Sequence, residues 1–254
     1  MLEAKEIGVR FGGVVAVDGL SLKVEDHEVV GLIGPNGSGK STFINALTGL
    51  VKATGGLRVD GAEVRLGRPG QLSRLGVLRT FQTPQVHDEL TCLENVLIGL
   101  QDWRVRSLLP TWFRRPAMMR VEREHWDLAY EALRFVRLEK EAGVLAGALS
   151  YGQRRRLEFA RTYAGQPRTL LLDEPAAGLN DVETSELVEL LTRWRDQDGP
   201  ALLVVEHKID FLEELCHRMV VLELGRQIAE GDPAEVWANP KVVDAYLGQV
   251  TIDA

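Results

Sequence analysis

Eight residues constrain this chain more than any others: Gly34-Pro35-Asn36-Gly37-Ser38-Gly39-Lys40-Ser41. They match G-x-x-x-x-G-K-[ST] and sit between an apolar run, Val29 to Ile33, and a segment that reads as a helix from about Lys40 to Leu47. The chemistry needs each part. Glycines let backbone N–H groups curl around phosphate oxygens. The helix that follows presents unpaired N–H groups and about half a positive charge at its N-terminus. Lys40 adds a full charge for the β- and γ-phosphates, and the Ser41 hydroxyl suits Mg2+. Gly34 to Ser41, with Thr42 next on the helix, are therefore the candidate phosphate-binding residues.

A second element supplies acid. Thr169-Leu170-Leu171-Leu172 is a short apolar run ending in Asp173-Glu174-Pro175. A buried strand here would deliver both carboxylates at its C-terminal end, where ligands bind in open α/β sheets. Asp173 can serve Mg2+ through its water shell, and Glu174 can orient and activate an attacking water.

The remaining pattern is alternating. Leu2 to Val24 reads as short strands around a Gly12-Gly13 turn, Leu202 to Val205 as a central parallel strand, and Met219 to Glu230 as a hairpin about Gly225-Arg226. Between Gln82 and Leu149 the period changes to helical: Leu93 to Leu100, then Glu122 to Val136 with Trp126, Ala129, Leu133 and Val136 in register. The expectation is one domain over residues 1–254. It is an α/β P-loop core with a mostly parallel sheet, an antiparallel β subdomain and an inserted helical subdomain at about 83–165.

Composition narrows the class. At 45% apolar and 26% charged the chain is globular in type, and a net charge of −7 argues against a nucleic-acid binder. Cys92 and Cys216 stand in no metal-ligand spacing and read as free thiols. The charged N-terminus and the lack of an ~18-residue apolar run predict a soluble cytoplasmic chain that reaches a membrane only by docking on other chains.

Leu149-Ser150-Tyr151-Gly152-Gln153 opens an apolar helical stripe of Leu157, Ala160 and Ala164 that Gly165 and Pro167 close. Ser150 and Gln153 fit a capping box, which is one reading. The segment also resembles the ABC signature sequence, usually Leu-Ser-Gly-Gly-Gln, and lies about twenty residues before the Asp-Glu pair as in that family. With it the resemblance to ABC ATPases extends over nearly the whole chain. It implies roles for four further positions: Phe11 stacking on adenine (a core aromatic is the other reading), Gln82 as the Q-loop sensor of Mg2+ and nucleotide, Asn180 in the D-loop, and His207 as the switch at the γ-phosphate. Two positions depart from the usual pattern, Tyr151 for glycine and Asn180 for aspartate.

The family's architecture implies a head-to-tail dimer. Ser150, Tyr151, Gly152 and Gln153 of one protomer would act on the ATP held by Lys40 of the other. Leu-Ser-Tyr-Gly-Gln, Ala177-Gly178-Leu179-Asn180, the Gly231 to Pro240 tail and the stretch Trp103 to Arg123 resemble the longer ATPase subunit of branched-chain amino-acid importers. That resemblance implies a shorter partner ATPase, two transmembrane permeases, a periplasmic binding protein and a place on the inner face of the membrane. Residues 83–100 are the implied permease contact. Urea or amide importers, lipopolysaccharide-type exporters and soluble ABC ATPases share much of this pattern. A GTPase shares only the faint echo of Asn-Lys-x-Asp in His207-Lys208-Ile209-Asp210.

Overall fold

The computed structural model describes residues 1–100, 115–197 and 199–250. It divides into two compact units: Met1–Gln82 with Pro167–Ala254, and Thr83–Gln166.

The first unit holds two sheets. Strands β1 (Leu2–Phe11) and β2 (Val14–Val24) form a hairpin across Gly12 and Gly13. β4 (Thr54–Val59) and β5 (Ala62–Val64) extend it to an antiparallel sheet of order β2-β1-β4-β5. Alternation along β1 turns Leu2, Ala4, Ile7 and Val9 inward, against α1 (Lys40–Leu47) with its buried Phe43 and Ile44.

The second sheet runs β10-β9-β3-β8-β7-β6. Its strands are β3 (Val29–Ile33), β6 (Val77–Arg79), β7 (Thr169–Asp173), β8 (Ala201–Val205), β9 (Arg218–Glu223) and β10 (Arg226–Gly231). All neighbours pair parallel except β9 with β10, which form the hairpin at Leu224-Gly225. Every residue of β3, β7 and β8 is buried, the pattern of parallel strands covered on both faces. Helices α5 (Asp181–Asp196), α6 (Ile209–Leu215), α7 (Pro233–Ala238) and α8 (Pro240–Val250) complete the unit. The α/β P-loop architecture follows from this order: β3, β6, β7 and β8 all point their carboxyl ends to one edge.

The second unit is helical: α2 (Cys92–Gly99), α3 (Arg115–Phe135) and α4 (Tyr151–Ala164) pack around Val96, Ala129, Leu133, Leu157 and Ala160. Two of its helices start on full capping boxes, Thr91 with Glu94 and Ser150 with Gln153. Trp126, expected in the apolar register, is 42% exposed, while Ala129, Leu133 and Val136 are buried. α4 ends at Ala164 with Gly165 as its C-cap, where the sequence places its close. Gly165 keeps right-handed helical geometry (φ −70°), and the left-handed residue is Gln166 (φ 45°). Pro167 disfavours the right-handed region for the residue before it, and Gln166, just past the C-cap, leaves that region. Of the aromatic- and arginine-rich stretch Trp103 to Arg123, residues 103–114 lie outside the described residues.

Candidate functional site

The site assembles at the carboxyl edge of the parallel sheet. Past Ile33 the chain turns through Gly34 (φ 146°), Gly37 (φ 77°) and Gly39 (φ 108°) into α1. Two of these glycines are also forced by space. A Cβ on Gly34 would lie 2.0 Å from the Leu222 carbonyl oxygen, and one on Gly39 would lie 2.4 Å from that of Ala16. No side chain caps α1 and no acid stands in its first turn, so its leading N–H groups and its dipole face outward. Asn36 and Ser41 are exposed, while Pro35 and Ser38 are buried and Thr42 is half-buried.

Lys40 lies folded back along this loop. Its Nζ donates to the carbonyl oxygens of Gly34 (2.7 Å) and Pro35 (2.9 Å). Burial pushes its ammonium below the usual lysine value, and the Glu174 and Asp173 carboxylates oppose that shift. The lysine, the loop and both acids thus form one electrostatic unit.

Two side chains from two strand ends converge on Glu174. Gln82, beyond β6, donates from Nε2 to Glu174 Oε2 at 3.0 Å. His207, beyond β8, meets Glu174 Oε1 through Nε2, also at 3.0 Å. An ionised carboxylate only accepts, so this contact calls for the proton on Nε2. Glu174 itself takes φ 48°, a conformation uncommon outside glycine, and its N–H is held by the Val205 carbonyl at 2.8 Å. The strained turn is what aims the carboxylate away from β7 while Asp173, one residue earlier, stays buried.

Asp173 is paired. Its Oδ2 accepts from Arg79 at 2.6 Å, with both side chains about nine-tenths buried. Among the described residues no group of three or more His, Cys, Asp or Glu could hold a metal by itself. The oxygen donors present, Ser41, Gln82 and Asp173, suit a hard cation that draws its other ligands from water and phosphate, the habit of Mg2+.

A family profile described as ABC transporter matches residues 17–177, spanning this loop and both acids. The chain belongs to the ABC transporter ATP-binding cassettes.

The cassette is therefore an ATPase of the transport-coupled kind. A second profile, described as branched-chain amino acid ATP-binding cassette transporter, matches residues 226–250. The cassette is 43% identical over 251 residues to the high-affinity branched-chain amino acid transport ATP-binding protein BraF of Pseudomonas aeruginosa, covering 98% of each chain. It is 39% identical over 250 residues to LivG of Escherichia coli, a protein of the same description, again covering 98% of each. Among solved structures it resembles an ATP-binding cassette of an ABC transporter in its ADP conformation, with TM-score 0.83, 32% identity and 98% of each chain covered. It also resembles a dimeric post-hydrolysis cassette bound to ADP and Pi, with TM-score 0.72, 26% identity, 92% of this chain and 99% of that one.

Elsewhere in the cassette, Phe11 ends β1 with 52% of its surface exposed, a free ring and not a core aromatic. In the helical unit Ser150 Oγ accepts from Gln153 N–H at 3.2 Å, and Gln153 Oε1 accepts from Ser150 N–H at 2.9 Å. Tyr151 is exposed and Gly152 is buried. Asn180 caps α5, accepting from Glu183 N–H at 2.9 Å.

Two residues that hold the site in place escaped sequence reasoning. The buried Glu206 carboxylate accepts from the N–H groups of Ala176 (2.8 Å), His207 (2.6 Å) and Lys208 (3.3 Å). It ties the turn after Glu174 to the histidine; the available signal was an acid at the end of a fully apolar strand. Burial raises the phenol of Tyr246 in α8, and the nearby backbone of Gly34 opposes that shift. No local pattern announces a contact across more than two hundred residues.

Proposed function

We propose that this cassette is the nucleotide-hydrolysing subunit of an importer that takes up branched-chain amino acids, working on the inner face of the membrane. The observation that carries the ATPase half is the meeting of Gln82, Glu174 and His207, each contact 3.0 Å, beside Lys40. The relatives named for branched-chain amino acid transport, matched end to end, carry the choice of cargo.

In this reading the amide-lined turn Gly34 to Gly39, with the N-terminus of α1, receives the β- and γ-phosphates, and Lys40 exchanges its loop carbonyls for phosphate oxygens. Phe11 stacks on the adenine ring. Glu174 orients the attacking water, with His207 and Gln82 fixing the direction of its carboxylate. Mg2+, held through Ser41, Gln82 and Asp173, supplies neutralisation of the phosphate charge. Ser150, Tyr151, Gly152 and Gln153 complete the site from a second cassette, either another copy or a shorter partner ATPase, with Asn180 at the junction. Two permease subunits dock on the helical unit, and a periplasmic binding protein delivers cargo to them. Among the described residues no helix is long and apolar enough to cross a membrane, which fits a subunit that leaves the crossing to those permeases.

The test is uptake in cells. Disruption of the gene should abolish high-affinity uptake of labelled leucine, isoleucine and valine. The unaltered gene should restore it, and the Lys40→Ala and Glu174→Gln forms should not. Undiminished uptake in the disrupted strain, together with a lost uptake of urea or amides, would reassign the cargo. Rescue by Lys40→Ala would remove the ATPase reading itself.

A further inference from the structure

Arg79 joins three parts of the site through one buried guanidinium. Nη2 donates to Oδ2 of Asp173 at 2.6 Å. Nη1 donates to Oδ1 of Asn45 at 2.7 Å and Oγ1 of Thr48 at 3.1 Å, within α1 and at its C-terminal end. The guanidinium carbon lies 4.8 Å from the centre of the Phe81 ring, one residue before Gln82. The phosphate-loop helix, the acid of β7 and the segment carrying Gln82 are thus fastened to one side chain.

We propose that Arg79 is a positioning residue for the metal: it fixes Oδ2 of Asp173, leaves Oδ1 for the water shell of Mg2+, and ties that orientation to α1. This rests on the reading of Asp173 as the acid that serves Mg2+. A carboxylate this deeply buried needs a counter-charge and fixed donors to hold one direction. A planar fork with two arms can hold Asp173 and α1 together, which the single ammonium of lysine cannot. Donors behind a metal's carboxylate commonly change metal affinity by about 10–100-fold when removed. The stacking of Arg79 on Phe81 extends the same fastening to the segment that ends in Gln82, so Asp173 and Gln82, two of the three oxygen donors assigned to the metal, share one brace.

The experiment measures binding of a fluorescent ATP analogue to the full chain, titrated with Mg2+ and repeated in EDTA. Arg79→Lys and Arg79→Gln should raise the Mg2+ concentration needed for half-saturation by about 10-fold or more while leaving the EDTA affinity within about twofold. Asn45→Ala with Thr48→Val keeps the Arg79–Asp173 pair but frees the other arm, and should shift the Mg2+ response the same way by less. Asp173→Asn is the reference and should lose the Mg2+ response. A folded Arg79→Lys protein with the native Mg2+ titration overturns the proposal. If the Arg79 variants do not fold, an unshifted Mg2+ titration in the Asn45/Thr48 variant overturns it instead. Full Mg2+ response in Asp173→Asn would remove the assignment of Asp173, a result distinct from failure at Arg79.

Discussion

At the scale of single residues, the site depends on carboxylates whose partners differ in kind. Glu174 is directed by two side chains, Asp173 by a guanidinium, and Glu206 by three backbone N–H groups. Glu206→Gln presents an amide to donors that need an acceptor, so it should cost about 1–3 kcal/mol in denaturant unfolding. It should also lower kcat for ATP more than it raises KM, because His207 is displaced while the phosphate loop is untouched. An unchanged kcat in a destabilised protein would make Glu206 a folding residue only. Cys216 gives a pH prediction. Burial pushes its thiol up to about 12 from an ordinary value of 9.0. Between pH 9 and 12 the unfolded chain has released this proton and the folded chain has not. Stability is therefore fully present below pH 9 and falls as pH rises, by about 1.4 kcal/mol per unit from this group. Cys216→Ala should flatten that slope in unfolding curves, and the native thiol should resist alkylation at pH 8. Rapid labelling of folded protein at that pH would contradict the burial argument.

At the scale of elements, two helices of the same unit begin with the same device. Thr91 and Ser150 both accept an N–H three residues on, while the acid or amide at that position reaches back. Removing either hydroxyl should cost about 1 kcal/mol of stability. Only Ser150 belongs to the proposed trans site, so Ser150→Ala should also depress ATP turnover, whereas Thr91→Ala should leave turnover near native. Equal turnover in the two variants would reduce the Ser150 turn to a helix start. The signature helix also grips the segment after Gln82. Glu158, paired with the fully buried Arg155, accepts the Gln85 N–H at 3.2 Å, and Arg161 donates to the Gln85 carbonyl. Gln85 lies three residues past Gln82, so a change there has a short mechanical route into α4.

At the scale of the whole molecule, the proposed cycle is an association switched by the γ-phosphate. Glu174→Gln should accumulate an ATP-bound dimer in light scattering while hydrolysis nearly stops; a protein that stays monomeric at millimolar ATP would count against a site shared between copies. Much of this molecule could be read locally. Gly34 to Ser41 needs only its own glycines, lysine and following helix to make an anion site. Thr169 to Glu174 needs only an apolar run and its acidic end, and the Gly12-Gly13 and Gly225 turns mark their own hairpins. β4, β5 and β6 were harder, because Gly55 and Gly56 interrupt one and the others are three residues long, held by neighbouring strands more than by their own pattern. What the amino-acid order determined by itself was the set of short-range devices: loop, caps, turns and strand ends. Tertiary structure alone decided which of these meet. Strand order brought Gln82, Glu174 and His207 to one edge, aligned Arg79 with Asp173, and returned Tyr246 to Gly34. Those pairings join residues up to about two hundred positions apart, and their chemistry is specified by packing, which no local period encodes.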